Sequence, residues 1–361
     1  MKYRTIPIAV HGDQRPRAGS AASAAERQRQ AWRLAAQMGF FTLFAVTPLF
    51  DLFRYDLTRG HAYFLGVEWH LGIDAFLAGQ IGAGQAALNI LGGLFVPLFA
   101  IAGIGLFIAW KWGRLYCGWL CPHFSVVETI NRLMIVATGK HSLWDDRPLP
   151  AVNPDGSPAR RDRRYWLLVV PMAVAFALTW ATVLLTYLMP PLEVYPQLFR
   201  LALNRNETLF LVAATTVFSL EFLFARHLFC RYACAVGMFQ SLAWMGNKKA
   251  LVVSVDRNRL AECGDCLGGA GSACEAVCPM RLKPRNLKRL MFACTQCTQC
   301  LSACATVQRD HPEGPLLTWV QGEAARQLEA GFRAPRAEAG GAPEAAGDAA
   351  RATHTTIAEE H

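Results

Sequence analysis

The twelve cysteines of this 361-residue chain fall into tight groups, and one group packs four thiols into eleven residues. Its spacing is Cys-x2-Cys-x2-Cys-x3-Cys, and its members are Cys294, Cys297, Cys300 and Cys304. Thiols this close in sequence cannot pair sensibly as disulfides with one another. As thiolates they can surround one side of a small inorganic cube. The chemistry indicated is therefore metal ligation and the movement of electrons.

A second group of four cysteines stands just before the first. Its members are Cys263, Cys266, Cys274 and Cys278, and Pro279 follows directly. Two such runs in succession are typical of a bacterial-type ferredoxin module with two [4Fe–4S] clusters, in which the fourth cysteine of each run ligates the other cluster. By position, we predict one cluster on Cys263, Cys266, Cys274 and Cys304, and the other on Cys294, Cys297, Cys300 and Cys278.

The first of these two clusters departs from the usual pattern. Residues 268–272 lengthen the gap before Cys274 to seven residues, and Ala305 stands after Cys304 where proline is usual. A glycine-rich loop still lets Cys274 reach the cube, but it could also leave this cluster more exposed or with only three irons. Zinc is the alternative metal for paired cysteines. The Cys294–Cys304 run sets its four ligands too close together for the usual two-knuckle zinc site.

The remaining cysteines form two Cys-x3-Cys pairs, and each pair follows a long apolar stretch. Their members are Cys117 with Cys121, and Cys230 with Cys234. Each copy has an apolar stretch, a basic turn, an aromatic residue and the pair in the same order, so the two form an internal repeat. Cysteines at i and i+4 share one helix face. Two copies that face each other bring four thiols together, as ligands of a further iron–sulfur cluster or a copper ion, as redox-active dithiols, or as small packing residues.

The elements that must position these cysteines are membrane helices. Hydrophobic residues make up 53% of the chain and charged residues 17%, and the apolar residues run in blocks. A helix needs about 20 apolar residues to cross a bilayer, and stretches near 34–53, 86–110, 165–189 and 208–225 qualify. The second stretch contains Gly92, Gly93, Gly103 and Gly105, which suit close helix contact. Residues 63–82 are also apolar, but they contain Glu68, His70 and Asp74 and predict an interfacial or re-entrant segment.

Lysine and arginine counts predict the orientation of the chain. The segment up to Arg33 has seven and the loop 111–164 has nine, whereas the loops 54–85 and 190–207 have two each. Positive residues stay cytoplasmic, so we expect both termini and the ferredoxin module in the cytoplasm and the protein in the inner membrane of a bacterium. The net charge of +9 then reflects membrane topology, and we expect no nucleic-acid partner.

We therefore predict a mainly α membrane protein: a four-helix transmembrane bundle plus a small α+β bacterial-type ferredoxin domain. Residues 1–33 would be a cytoplasmic arm, 34–249 the membrane domain and 250–320 the double ferredoxin domain. Residues 321–361 are rich in Ala, Gly, Glu and Arg and predict a disordered tail.

A few further polar residues are candidates for function. Glu221, within the fourth stretch, could accept a proton from quinol, or simply snorkel to the headgroups because Arg226 is close by. His123 follows the first cysteine pair and His227 precedes the second. His61 and His70, on the outer side, could serve a quinol or metal site or be merely tolerated. Basic residues of the ferredoxin module could dock an acidic redox partner or form a solvated helix face, and they are Lys283, Arg285, Lys288 and Arg289.

The sequence GRLYCGWLCP after one apolar stretch, a second Cys-x3-Cys after another, and the double ferredoxin run resemble the membrane polyferredoxins of the NapH, NosR and CcoG group. The resemblance covers roughly residues 35–310 and is closest in plan to the NapH type. It implies electron transfer between the quinone pool and a respiratory reductase, with other redox subunits as partners. The CcoG type implies instead a copper-reducing or metal-handling assembly factor. The second pair reads Cys-Ala where Cys-Pro is common, which puts equal roles for the two pairs in doubt.

Overall fold

A computed structural model describes residues 21–145, 148–263, 266–267 and 271–331. The described chain is mainly helical, with little sheet, as the sequence predicts. The helices are α1 (Ala21–Val46), α2 (Ile73–Leu77), α3 (Ala83–Ile90), α4 (Val96–Trp112), α5 (Leu115–Trp119), α6 (Pro122–Thr138), α7 (Trp166–Thr186), α8 (Pro191–Phe199), α9 (Arg205–Leu220), α10 (Ala235–Gly246), α11 (Ala273–Ala276), α12 (Gln299–Val307) and α13 (Glu323–Gly331). The strands are β1 (Phe53–Asp56), β2 (His61–Phe64), β3 (Val67–Trp69), β4 (Val252–Val255) and β5 (Leu317–Val320).

Four helical segments in the described chain are long and apolar enough to cross a membrane, and they are Ala25–Phe50, Ala83–Trp112, Arg163–Thr186 and Arg205–Ala225. We call them spans one to four. Each overlaps a stretch predicted from the sequence, because uninterrupted apolar length is the property that both depend on. The prediction of four membrane helices plus a ferredoxin domain is thus confirmed.

Spans one, three and four pack against one another. Ala173 and Ala177 of span three are fully buried against Val127, Ile130 and Phe222. Small residues let helix backbones approach closely in a membrane. The Phe44 ring of span one contacts the Trp180 ring of span three, with 4.6 Å between their centroids.

Span two stands apart from this bundle. None of its apolar window is buried. Gly92, Gly103 and Gly105 have nothing within 4 Å of the space that a Cβ would occupy, and Gly93 alone of the four faces side chains, those of Leu71 and Trp69. The predicted close helix contact at the other three glycines is therefore wrong within the described chain.

The segment predicted as interfacial or re-entrant belongs to a small antiparallel sheet of order β1-β2-β3, followed by the short helix α2. Arg54 pairs with the fully buried Asp56 there, with 2.9 Å between Nη1 and Oδ2. This sheet lies between spans one and two along the chain.

The ferredoxin region is closed by β4 and β5, which pair antiparallel from Val252 opposite Val320 to Val255 opposite Leu317. Helices α11 and α12 lie between these strands along the chain and contact each other. Helix α1 begins at Ala21 and continues into span one, so residues assigned to the arm share one helix with that span, and α1 contacts α12. The predicted disordered tail includes α13, and its residues 332–361 lie outside the described chain.

Candidate metal centres

A cavity in the ferredoxin region is lined by one of the predicted ligand sets: Cys278, Cys294, Cys297 and Cys300. The loop between these cysteines has Gln296 and Thr298 at positive φ, 53° and 60°. The backbone N–H of Leu282 donates to Sγ of Cys278 at 3.3 Å. The chain thus brings the crosswise cysteine to the three-cysteine run.

A second cavity is lined by the other predicted set: Cys263, Cys266, Cys274 and Cys304. Leu316 and Leu317 form buried apolar walls. The backbone N–H of Ala273 donates to Sγ of Cys266 at 3.2 Å. Residues 268–270 of the lengthened loop lie outside the described chain, but Cys274 still lines the cavity with its three partners.

The chemistry of both cavities fits an iron–sulfur cluster. Each presents four sulfur donors among mostly apolar walls. Burial raises the pKa of Cys274, Cys278 and Cys294 to about 12 each. Free thiolates would therefore be unfavourable here, and a bound metal would displace the protons. The backbone N–H groups aimed at sulfur are the kind of contact that tunes a cluster's potential.

The membrane-edge cysteine pairs also come together. Cys117 and Cys230 are buried, and Cys121 and Cys234 are half-buried. Burial raises the pKa of Cys230, and the charges of Cys121, Cys117 and Cys234 raise it further, so all four thiols are close enough to interact.

Arg114 joins the two copies of the repeat. Its Nη2 donates to the carbonyl oxygen of Cys230 at 2.8 Å, and its side chain is buried. A Cβ built on Gly237 would overlap this guanidinium, so only glycine leaves room for it. The repeat predicted from the sequence thus places its copies face to face.

Among the residues that the structure describes, no three His, Cys, Asp or Glu side chains are placed to hold a single metal ion. This applies to the two ferredoxin sets as well, because a four-iron cube separates its ligands more widely than one ion does.

The membrane-edge pairs contact the ferredoxin loop directly. Gly118, next to Cys117, packs on the backbone of Thr295 and Cys297. The Trp119 indole Nε1 donates to the carbonyl oxygen of Gln296 at 3.0 Å. From the second copy, Ser241 Oγ donates to the carbonyl oxygen of Phe292 at 2.7 Å.

The side chains on both sides of this contact share one apolar cluster. The buried Cys230 and Cys278 belong to it, and Cys121 and Cys294 pack on it. Apolar packing therefore connects the membrane-edge thiols directly with the cavity of Cys278, Cys294, Cys297 and Cys300.

A buried ion pair connects span one with the contact between the first cysteine pair and the ferredoxin loop. This ion pair was not predicted from the sequence. Arg33 pairs with Glu128 of α6, and its Nε donates to the carbonyl oxygen of Gly118 at 2.8 Å. Burial by itself would raise the pKa of Glu128, but Arg33, Arg132 and Gln37 together outweigh burial, and the pKa is lowered. Gln30, one turn earlier, donates to Thr298 Oγ1 at 2.9 Å. The only signal in the sequence was a basic residue at the end of the arm.

Two of the four basic residues predicted as a docking surface are engaged in contacts within the protein. Lys288 is buried, and its Nζ donates to the carbonyl oxygens of Trp244 at 2.7 Å and Asn247 at 2.6 Å. Arg285 pairs with Glu275 and donates to the carbonyl oxygen of Cys263. These two contacts hold the fold together and remove both residues from the predicted docking surface.

His123 and Glu221 meet beside the first pair, with 3.3 Å between Nε2 and Oε1. Burial lowers the pKa of His123 to about 4, so its imidazole is neutral at pH 7. His227 is fully buried next to Arg226, and burial lowers its pKa to about 3.

His61 and His70 lie on the small sheet, with 4.9 Å between ring centroids. His61 Nδ1 is 3.8 Å from an oxygen of Asp74, and His70 Nε2 is 3.4 Å from an oxygen of Glu68. Each of the two rings thus lies beside a carboxylate.

Comparison with known proteins supports iron–sulfur binding. A family described as 4Fe-4S binding domain matches residues 93–140 and 207–251, so each match contains one Cys-x3-Cys pair. No solved structure matches the chain.

Three relatives have names that refer to electron transport or to ferredoxins. "Putative electron transport protein YccM" of Escherichia coli (strain K12) is 25% identical over 77% of this chain and 74% of its own length. Ferredoxin-type protein NapH of Haemophilus influenzae (strain ATCC 51907 / DSM 11121 / KW20 / Rd) is 23% identical over 76% and 86%. Methylamine utilization ferredoxin-type protein MauN of Methylorubrum extorquens (strain ATCC 14718 / DSM 1338 / JCM 2805 / NCIMB 9133 / AM1) is 28% identical over 57% and 59%. The resemblance to NapH-type membrane polyferredoxins is confirmed, and an iron–sulfur electron-transfer role is supported.

Proposed function

We propose that this protein passes electrons between the quinone pool and a respiratory reductase system, through iron–sulfur clusters at the inner face of a bacterial inner membrane. The observation that carries the proposal is the direct contact between the first cysteine pair and the ferredoxin loop, where Gly118 packs on Thr295. Thiols at the membrane edge and a ferredoxin cavity in one apolar cluster are what a short electron path requires.

The proposed ligands follow the two cavities. One [4Fe–4S] cluster takes Cys263, Cys266, Cys274 and Cys304, and the other takes Cys278, Cys294, Cys297 and Cys300. A third centre would lie on Cys117, Cys121, Cys230 and Cys234. Such clusters supply reversible one-electron transfer when bound.

The residues of the chain have separate tasks in this proposal. The apolar walls exclude water, and backbone N–H groups at Cys266 and Cys278 stabilise negative sulfur. Arg114 places a buried positive charge between the two copies of the repeat, where it offsets the negative charge of thiolate ligands.

The orientation proposed from positive residues places both termini and the ferredoxin region in the cytoplasm. The membrane lipid and quinone then contact the spans. Span two has no part of its apolar window buried. Apart from the contact between α4 and α10, it leaves most of its surface for lipid or for other redox subunits.

The test uses the full chain, purified anaerobically with its clusters into lipid discs. Quinol is added, and cluster reduction is followed by EPR and by bleaching of visible absorbance. Reduction by quinol is expected. Clusters that respond to dithionite and fail to respond to quinol would contradict quinol oxidation by this chain.

A second candidate is a copper-reducing or metal-handling assembly factor for a terminal oxidase or reductase. The observation in its favour is the clustering of four thiols outside the ferredoxin cavities. Replacement of Cys117, Cys121, Cys230 and Cys234 by Ser separates the two functions. Slower quinol-linked cluster reduction supports electron transfer, whereas loss of copper binding with unchanged cluster reduction supports metal handling.

A further inference from the structure

Three buried polar groups without hydrogen-bond partners lie between spans three and four and the start of α6. Nε2 of His123 and Oε1 of Glu221 are 3.3 Å apart, yet no hydrogen bond joins them, and both carboxylate oxygens lack a partner. The indole Nε1 of Trp180 is buried without a partner as well. Unsatisfied polar groups in an apolar setting cost free energy, so this arrangement calls for a ligand that supplies the missing partners.

Aromatic rings enclose these groups. The His123 ring centroid lies 5.2 Å from that of Phe229, 5.3 Å from that of Phe222 and 6.0 Å from that of Trp180. Rings at these separations make offset and edge contacts. The rings are thus in contact with one another, so a flat six-membered ring that binds here packs beside them and not between them.

The location also limits what the ligand can be. Phe229 directly precedes Cys230, and His123 follows Cys121 by two residues, so a ring held here lies beside the cysteine pairs. Glu221 is near the end of span four, which finishes at Ala225. The side chains of His123 and Glu221 keep 14% and 13% of their exposure, so the edge of this group of side chains reaches the protein surface. A ligand that arrives from the bilayer can approach this edge.

Glu221 does not behave as a residue that snorkels to the headgroups. Its carboxylate turns to His123, and the guanidinium nitrogens of the fully buried Arg226 make no hydrogen bond to it. Holding the acid in this position needs a reason other than escape from the bilayer.

We propose that His123, Glu221 and Trp180 bind the headgroup of a membrane quinone or quinol. A hydroquinone carries a hydroxyl at each end of a flat ring, and each hydroxyl both donates and accepts. Glu221 accepts from one hydroxyl beside His123, and the Trp180 N–H donates to an oxygen of the same ring. This inference rests on the proposed function, which gives the reason for a quinone at this membrane.

The test measures binding without electron transfer. An alkyl-hydroxyquinoline N-oxide, a fluorescent and redox-inert quinol analogue, is titrated into lipid discs that hold the full chain with its clusters. Glu221→Gln and Trp180→Phe are each expected to raise its Kd about tenfold or more, because the Gln amide is a weaker acceptor than a carboxylate and Phe has no N–H donor. Trp110→Phe is the matched control, since that indole is 44% exposed on span two, and its Kd should equal that of the wild type.

Absence of saturable binding to the wild type would overturn the pocket, as would equal Kd values in the wild type, Glu221→Gln and Trp180→Phe. The conservative variant His123→Asn, with cluster content checked by visible absorbance, is expected to weaken binding as well. Quinol-driven cluster reduction in the same discs separates the two proposals. If quinol reduces the clusters equally well in the wild type and in the Glu221 and Trp180 variants, the proposed function stands and the proposed binding site is wrong. If the variants bind the analogue more weakly but quinol does not reduce the clusters even in the wild type, the binding site stands and the proposed function is wrong.

Discussion

The α-carbon of Gly118 lies against the backbone carbonyl of Thr295, so closely that a methyl group on Gly118 would overlap the oxygen. The first residue follows a membrane-edge cysteine, and the second lies between two cysteines of a ferredoxin cavity. The contact therefore fixes the separation between two groups of thiols. Several expectations depend on this region.

Gly118→Ala is expected to destabilise the protein by about 1–3 kcal/mol, because backbone on both sides must shift to admit one methyl group. The measurement is the thermal unfolding midpoint in lipid discs. Gly103→Ala is the control, since nothing lies within 4 Å of its added Cβ. A Gly118→Ala midpoint equal to that of the control would show that the contact is looser than described.

Cys278→Ser and Cys304→Ser should each damage the cluster held mainly by the other run of cysteines. Cys278 lines the cavity of Cys294, Cys297 and Cys300, whereas Cys304 lines the cavity of Cys263, Cys266 and Cys274. EPR of the reduced proteins checks this, because each variant should lose or alter a different signal. Identical spectra from the two variants would contradict crosswise ligation.

Arg33→Gln is expected to cost about 3–5 kcal/mol of stability, because it leaves the buried Glu128 carboxylate without its main partner. Chemical unfolding in lipid discs or detergent measures the difference. Arg132→Gln is matched to it, since Arg132 contacts the same carboxylate from a side chain that is 64% exposed, and an exposed pair contributes at most about 1 kcal/mol. Equal losses from the two variants would mean that burial of Arg33 is not what matters.

Lys288→Gln is expected to lower the unfolding midpoint, whereas Arg289→Gln leaves it unchanged. Lys288 is buried, and its ammonium satisfies two carbonyl oxygens near the end of α10, where a positive charge is favourable. Arg289 is exposed. The pair of variants has the same charge change, so a difference between them reports the buried contact alone.

Acid is expected to destabilise the protein over a pH range that is set by the titration of its buried histidines. The pKa of His227 falls to about 3 in the folded protein, and burial lowers the pKa of His141 as well, from a usual value of 6.5. The unfolded chain therefore binds more protons than the folded chain below about pH 6.5. The free energy of unfolding consequently falls as the pH drops below this value.

The unfolding midpoint between pH 8 and pH 5, roughly the range over which an ordinary histidine titrates, checks this expectation. His141→Asn should flatten part of the slope. A midpoint that rises on acidification would contradict the expectation.

Most of the features that could be predicted from the sequence depend on local spacing, namely the spacing of cysteines and the length of apolar stretches. The two ferredoxin ligand sets follow from a four-cysteine run and its predecessor, and the spans follow from apolar length. Contacts between segments that are distant in the sequence could not be predicted, because no local pattern indicates them. Arg33 and Glu128 are 95 residues apart, and in sequence Arg33 looks like any basic residue beside a span. The sequence also could not predict that three glycines of span two lack a neighbour within the described chain. Glycine content shows where a helix can pack closely, but not whether another helix is present there.

The antiparallel pairing of β4 and β5 has a consequence for biogenesis. Every ferredoxin cysteine lies between these two strands along the chain, so β4 and β5 can pair only after the last of these cysteines has been synthesised. Gln30 of α1 is synthesised 268 residues before Thr298, to which it donates a hydrogen bond. The contact between α1 and the ferredoxin region therefore forms only after nearly all of the described chain has been made.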